Sequence, residues 1–148
     1  MIYIENAQQV IPIHIKEIER IAQTILQALN YADYDLGILI TTDEEMQRYN
    51  KKYRGFDKPT DILSFPYHPN LMPGERIQPQ TQEDKNLGDI ILAPNYIMQD
   101  LARWKQTFDE RIKVLLVHGI CHLLGYDHIE DVDYEIMKQK EEELLSLL

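Results

Sequence analysis

His118-Gly119-Ile120-Cys121-His122-Leu123-Leu124-Gly125-Tyr126-Asp127-His128 is the stretch from which the rest of the chain is read. It lies in a run where Phe108, Ile112, Leu115, Leu116, Val117, Ile120, Leu123 and Leu124 leave almost no polar face, so the run predicts a buried helix. His118 and His122, four apart on that helix, project from one side with Cβ atoms about 5–6 Å apart, close enough to share one metal ion. Gly125 stands where the helix should end, because glycine enters the left-handed conformation without a Cβ penalty. The chain then reverses and presents His128. Three of the five histidines thus fall in one short segment. Three neutral imidazoles on one zinc ion leave a fourth position open, the pattern of a catalytic rather than a structural zinc.

The spacing follows the metzincin signature H-E-x-x-H-x-x-G-x-x-H, except that Gly119 stands at the glutamate position. In the peptidases that glutamate is the general base, so the cage is present without its proton-handling partner. Zinc lowers the pKa of its bound water to about 7, which makes phosphodiester cleavage intelligible without such a base. Gly119 is expected to leave substrate space beside the metal, with tight helix packing as the competing explanation. Asp127 is expected to orient a ligand imidazole or to form the turn; Asp61 and Asp89 compete for the first role. Cys121 is expected as a buried apolar residue.

Working outward, Thr107 and Glu110 form a capping box that opens the metal helix. Before it, Leu87 to Ala93 reads as a strand, and Pro94 leads a helix to about Trp104. Tyr67 to Asn86, with Pro69, Pro73 and Pro79, is expected to be a mobile surface excursion. Ile62 to Phe65 is a strand ended by Pro66, and Gly55 and Pro59 make the stretch ahead of it a loop that carries Arg54. Thr42 and Glu45 cap a helix running to about Lys52. Leu36 to Ile40 suits a strand covered on both faces. A first amphipathic helix follows Pro12 and ends near Asn30, and Ile2 to Glu5 forms an edge strand. The last helix, from about Val132 to Leu147, has Met137 and Leu144 on one side and Glu141, Glu142 and Glu143 on the other. The order β-α-β-α-β-β-α-α-α predicts an α+β fold, a single catalytic domain over residues 1–148, with a mixed β-sheet packed with helices and a central buried metal-binding helix.

Composition bounds the function. Apolar residues make up 44% and charged residues 27%, a globular balance. A lone cysteine excludes an internal disulfide framework and fits a reducing compartment. No stretch approaches about 18 apolar residues, so a soluble, cytoplasmic protein with no membrane partner is expected. The net charge of −10 argues against a polyanionic partner over most of the surface. Lys51, Lys52, Arg54 and Lys58 are the local exception. A guanidinium can meet a phosphate with two parallel hydrogen bonds, so Arg54 is the candidate for charge stabilisation. Lys51, Lys52 and Lys58 are candidates for substrate binding along a nucleic-acid backbone. Tyr53, Phe56 and Tyr67 are available for base stacking or for core packing.

With these segments read, the chain resembles the YbeY family of bacterial endoribonucleases. The resemblance rests on the histidine stretch, on Tyr53-Arg54-Gly55-Phe56-Asp57-Lys58-Pro59-Thr60-Asp61-Ile62-Leu63-Ser64-Phe65-Pro66, and on Leu87-Gly88-Asp89-Ile90. It implies a zincin-like fold and one Zn²⁺ per chain held by His118, His122 and His128. It further implies cleavage of single-stranded RNA, with Arg54 and His118 in catalytic roles. The cellular task implied is ribosomal RNA maturation, with small-subunit 3′-end processing and ribosome quality control. The acidic balance adds the expectation of a ribosomal or ribosome-associated protein partner. Two other readings compete: a metal-dependent peptidase or amidase of metzincin-like type, and a non-catalytic zinc-containing ribosome assembly factor.

Overall fold

The computed structural model describes residues 1–148. Four strands, β1 (Ile2–Asn6), β2 (Asp35–Ile40), β3 (Ile62–Pro66) and β4 (Asn86–Leu92), form one sheet in the order β1-β2-β4-β3. β1, β2 and β4 run parallel and β3 pairs antiparallel with β4. The helices are α1 (Ile15–Ala28), α2 (Asp43–Arg54), α3 (Pro94–Gln99), α4 (Leu101–Trp104), α5 (Phe108–Leu123) and α6 (Asp131–Leu145). The mixed sheet, its helices and the central buried metal-binding helix are those expected of a zincin-like α+β chain.

Leu36, Ile38 and Ile40 alternate onto one face of β2, where Ile38 and Ile40 register beside Ile90 and Leu92 of β4. The apolar stripe of α1, Ile18, Ile21, Ala22, Ile25 and Leu26, and the inner side of α5, Leu116, Val117 and Ile120, bury against these residues in one core. Each fully buried Leu or Ile in such a core contributes roughly 1.5–3 kcal/mol.

The opposite face departs from expectation. β2 is not covered on both sides: its burial alternates. Helix α2 buries only Met46 and Asn50, so it closes a small second cluster with Leu63, Ile91 and Ala93. The remainder of that face is an open groove of about 800 Å³ whose walls include Tyr3, Leu39, Tyr53 and Phe65.

Two boundaries also differ. α2 extends through Arg54, and Gly55, at φ 76°, ends it in the left-handed conformation, so Arg54 is a helical and not a loop residue. The helix after Pro94 breaks at Asp100, whose N–H is shared between the carbonyls of Tyr96 and Ile97. Such three-residue tightening commonly closes a helix.

The excursion from Tyr67 to Asn86 is tied down rather than loose. Ile77 is buried in the main core and its N–H donates to the Tyr31 hydroxyl at 3.1 Å. The Arg76 guanidinium stacks 4.0 Å from the centre of the Tyr31 ring and donates to the carbonyls of Leu29 and Asn30, the open end of α1. Ile77, with no apolar neighbour at strand or helix spacing, carries too little periodicity to reveal this anchoring.

The same excursion reaches the histidine turn. Gly125 has φ +93°, and a Cβ there would stand 2.1 Å from the Leu71 carbonyl oxygen. Gly125→Ala therefore combines backbone strain with a backbone clash. It is expected to lower stability by about 2–4 kcal/mol, read as a lower urea midpoint; a variant as stable as the parent would show that this contact is not required.

Candidate metal centre and its cleft

Helix α5 is fixed at its start. Thr107 Oγ1 accepts from the Glu110 N–H at 3.2 Å while Glu110 Oε1 accepts from the Thr107 N–H at 3.0 Å, the reciprocal cap that its sequence predicts. One turn in, buried Arg111 pairs with Asp61 at 3.4 Å and lies 3.9 Å from the centre of the Trp104 ring. That pair joins α5 to the entrance of β3, and it occupies the Asp61 carboxylate away from the histidines.

Farther along, a Cβ on Gly119 would stand 2.8 Å from Ile62 Cδ1, 3.1 Å from Ile90 Cδ1 and 3.2 Å from Ser64 Oγ. The glycine thus serves close packing of helix on sheet, the competing explanation, and does not open space for substrate.

His118 and His122 bring their Nε2 atoms to 3.0 Å. The ring centres of His118, His122 and His128 form a triangle with sides of 4.5, 5.3 and 5.8 Å. With Zn–N bonds of about 2.0–2.1 Å, tetrahedral geometry places neighbouring ligand nitrogens about 3.3 Å apart and ring centres about 5 Å apart. The ring-centre spacings of 4.5–5.8 Å bracket that value.

The tightest set of ligand atoms differs from the three-histidine expectation: it includes Asp127 and leaves His118 outside. One ligand atom from each of His122, Asp127 and His128 lies within 4.8 Å of the others, so this group can hold a metal ion. The Asp127 carboxylate accepts from the His128 N–H at 2.7 Å and stands 3.5 Å from His128 Nδ1. It forms the turn and faces the imidazole.

Burial, reinforced by the neighbouring His118 and His128, pushes the His122 pKa down to about 4. At neutral pH this ring is uncharged with a lone pair to offer. Burial, with Glu141 nearby, pushes the Cys121 thiol up to about 12, which makes it the inert buried cysteine expected.

The residue that the sequence reading misses is Glu141. Its Oε2 lies 3.1 Å from His118 Nδ1, reaching across from α6. A carboxylate on the far nitrogen of a ligating histidine sets its tautomer and raises its basicity. The signal was present: Glu141 follows Met137 by four residues and precedes Leu144 by three, so it shares the buried face of α6. Asp89, the other candidate for this role, instead lies beside Gly37 in the groove on the opposite sheet face. His68 contacts the Asp84 carbonyl and His14 precedes α1, both outside the cluster.

His118 and His122 line a cavity of about 420 Å³ together with Tyr53, Arg54 and the β3 residues Ile62, Leu63, Ser64 and Phe65. Arg54 comes from the end of α2, the imidazoles from α5. Around Arg54, Lys51 pairs with Asp57 at 3.7 Å, Lys52 lies 5.2 Å from the Tyr53 ring centre and Lys58 lies 5.8 Å from that of Phe56.

Glu141→Gln is expected to keep the fold and weaken zinc binding by about 10–100-fold, measured by competition with a chelating dye; unchanged affinity would remove Glu141 from the site. For the metal-free protein, the His122 pKa is depressed from 6.5 to about 4, so between these values the unfolded chain binds more protons and stability falls as pH drops. Urea midpoints from pH 7 to pH 4 should decline through that window, and less steeply in a His122→Gln variant.

Comparison with known proteins agrees with this geometry. The profile of the family described as endoribonuclease YbeY matches residues 3–148. The human endoribonuclease YbeY is 37% identical over 145 residues, covering 98% of this chain and 86% of the human protein. That of Thermoanaerobacter sp. strain X514 is 33% identical over 153 residues, covering 99% and 96%. In fold, the chain is similar to a Thermotoga maritima protein solved in solution, with a TM-score of 0.64 at 23% identity over 99% of this chain and 88% of the other. The motifs, the arrangement of the site and the full-length match agree: the chain belongs to the endoribonuclease YbeY family.

Proposed function

We propose that residues 1–148 act as a single catalytic domain that cleaves single-stranded RNA with one zinc ion held by His118, His122 and His128. The task we assign it is ribosomal RNA maturation, including small-subunit 3′-end processing and ribosome quality control. The observation that carries the reading is the shared cavity: two of the three converging imidazoles and the Arg54 guanidinium line the same walls. When bound, zinc supplies Lewis acidity, polarising a phosphoryl oxygen and acidifying water.

The side chains divide the remaining work. His118 and His122 present ring nitrogens from a rigid helix, with Glu141 steadying the first, and Asp127 holds the turn that carries His128. Arg54 meets the charge that grows on the phosphate oxygens with a planar pair of donors. Lys51, Lys52 and Lys58 draw the backbone toward the cleft without reading its sequence.

The peptidase reading loses ground at Gly119, since the place where a peptidase carries its base is filled by Ile62, Ile90 and Ser64. No helix is long and apolar enough to cross a membrane, which supports a cytoplasmic setting. The net charge of −10 favours delivery to its RNA by a ribosomal or ribosome-associated protein partner over tight binding of free RNA.

The test is direct. The zinc-loaded protein is expected to cut unstructured RNA, to lose that activity on chelation and to regain it with zinc; cleavage of casein instead would favour the peptidase. Arg54→Ala should fold, bind zinc and lose about 10²–10³-fold in kcat, with Arg54→Lys restoring little because an ammonium lacks the two-pronged geometry. Full activity in Arg54→Ala would leave the arginine outside catalysis.

A further inference from the structure

Phe56 has no part in the site described so far, yet the turn that presents it is built with care. The residue is 48% exposed. Gly55, left-handed at φ 76°, turns the chain out of α2, and the Phe56 carbonyl accepts from the Lys58 N–H at 2.9 Å. The side chain of Asn50, only 1% exposed, donates to the Lys58 carbonyl at 2.8 Å, and Gln47 Nε2 donates to the Asp57 carboxylate at 2.9 Å. A turn pinned from beneath holds an aromatic ring in water, forgoing the free energy that burial would contribute.

The surroundings of that ring are cationic. The Arg54 guanidinium lies 5.1 Å from the ring centre and the Lys58 ammonium 5.8 Å. Arg54 is also a wall of the cavity that holds His118 and His122, so one side chain connects the ring to the cleft. Phe56 itself lines neither that cavity nor the apolar groove on the open sheet face. Neighbouring Tyr53 is already engaged, edge-on to Phe65 at 5.1 Å and parallel to Tyr49 at 6.3 Å.

We propose that Phe56 is a stacking platform for an unpaired base of the RNA strand, adjacent to the phosphate that lies in the cleft. The base takes one face of the ring, and the Arg54 and Lys58 side chains turn from the ring to the flanking phosphates. The inference rests on the RNA-cleaving reading and adds to it a subsite for the strand. A base fits better than an apolar group of a protein partner, because Arg54 and Lys58 flank the ring and neither has a carboxylate partner among the ion pairs. Every base has a π-face, so the platform is tolerant of sequence.

The experiment pairs protein and RNA changes. Binding of a non-cleavable 2′-O-methyl oligonucleotide, followed by fluorescence anisotropy, is compared for the parent, Phe56→Ala and Phe56→Trp, each with zinc bound and with circular dichroism to verify the fold. Phe56→Ala should bind about tenfold more weakly and Phe56→Trp at least as tightly as the parent. Scanning the oligonucleotide with single abasic sites should find one position where the parent loses affinity and Phe56→Ala loses none. On cleavable RNA the defect should fall on KM. Equal affinity of the parent and Phe56→Ala, or the same abasic penalties in both, would overturn the platform; if Phe56→Ala instead lost only binding to a ribosomal particle, the ring would belong to a protein contact. Because affinity is read without cleavage, a parent protein that binds RNA but never cuts it would refute the nuclease reading separately.

Discussion

The close approach of α5 to β3 and β4 is the constraint on which the site depends. Gly119 lets the helix sit against Ile62, Ile90 and Ser64, and Arg111 with Asp61 ties the helix to the start of the same strand. A Cβ at 119 would press on the tips of the Ile62 and Ile90 side chains. The glycine that interrupts the peptidase signature thus serves the close packing of helix on sheet.

Support for the three histidines comes from different depths of the fold. His118 and His122 share one rigid helix and meet at 3.0 Å. His128 is exposed on a turn held by Gly125, by Asp127 and by the Leu71 backbone pressing from the excursion. Glu141 then braces His118 from α6. Two of the imidazoles are therefore set by secondary structure and the third by tertiary contact.

Charge is apportioned in the same way. A strongly acidic chain keeps a small basic group at the end of α2, where Lys51, Lys52 and Arg54 also complement the negative end of the helix dipole. The open sheet face behind it has Asp89 and Glu5 among its walls.

Periodicity and spacing alone determined that His118 and His122 share a helical face, that the helix is buried, and that it ends at Gly125, because these are local consequences of a 3.6-residue repeat and a residue without a Cβ. The same local rules located all four strands and the reciprocal cap of Thr107 and Glu110, whereas at Thr42 only the N-cap half forms because Glu45 pairs with Arg48; the motifs named the family. Only the folded chain decided that Glu141 reaches His118, that Ile77 and Arg76 anchor the long excursion, and that one face of β2 stays open. Each of those depends on which side chain another element brings within a few ångströms, and distances between residues remote in sequence are set by packing rather than by any pattern along the chain.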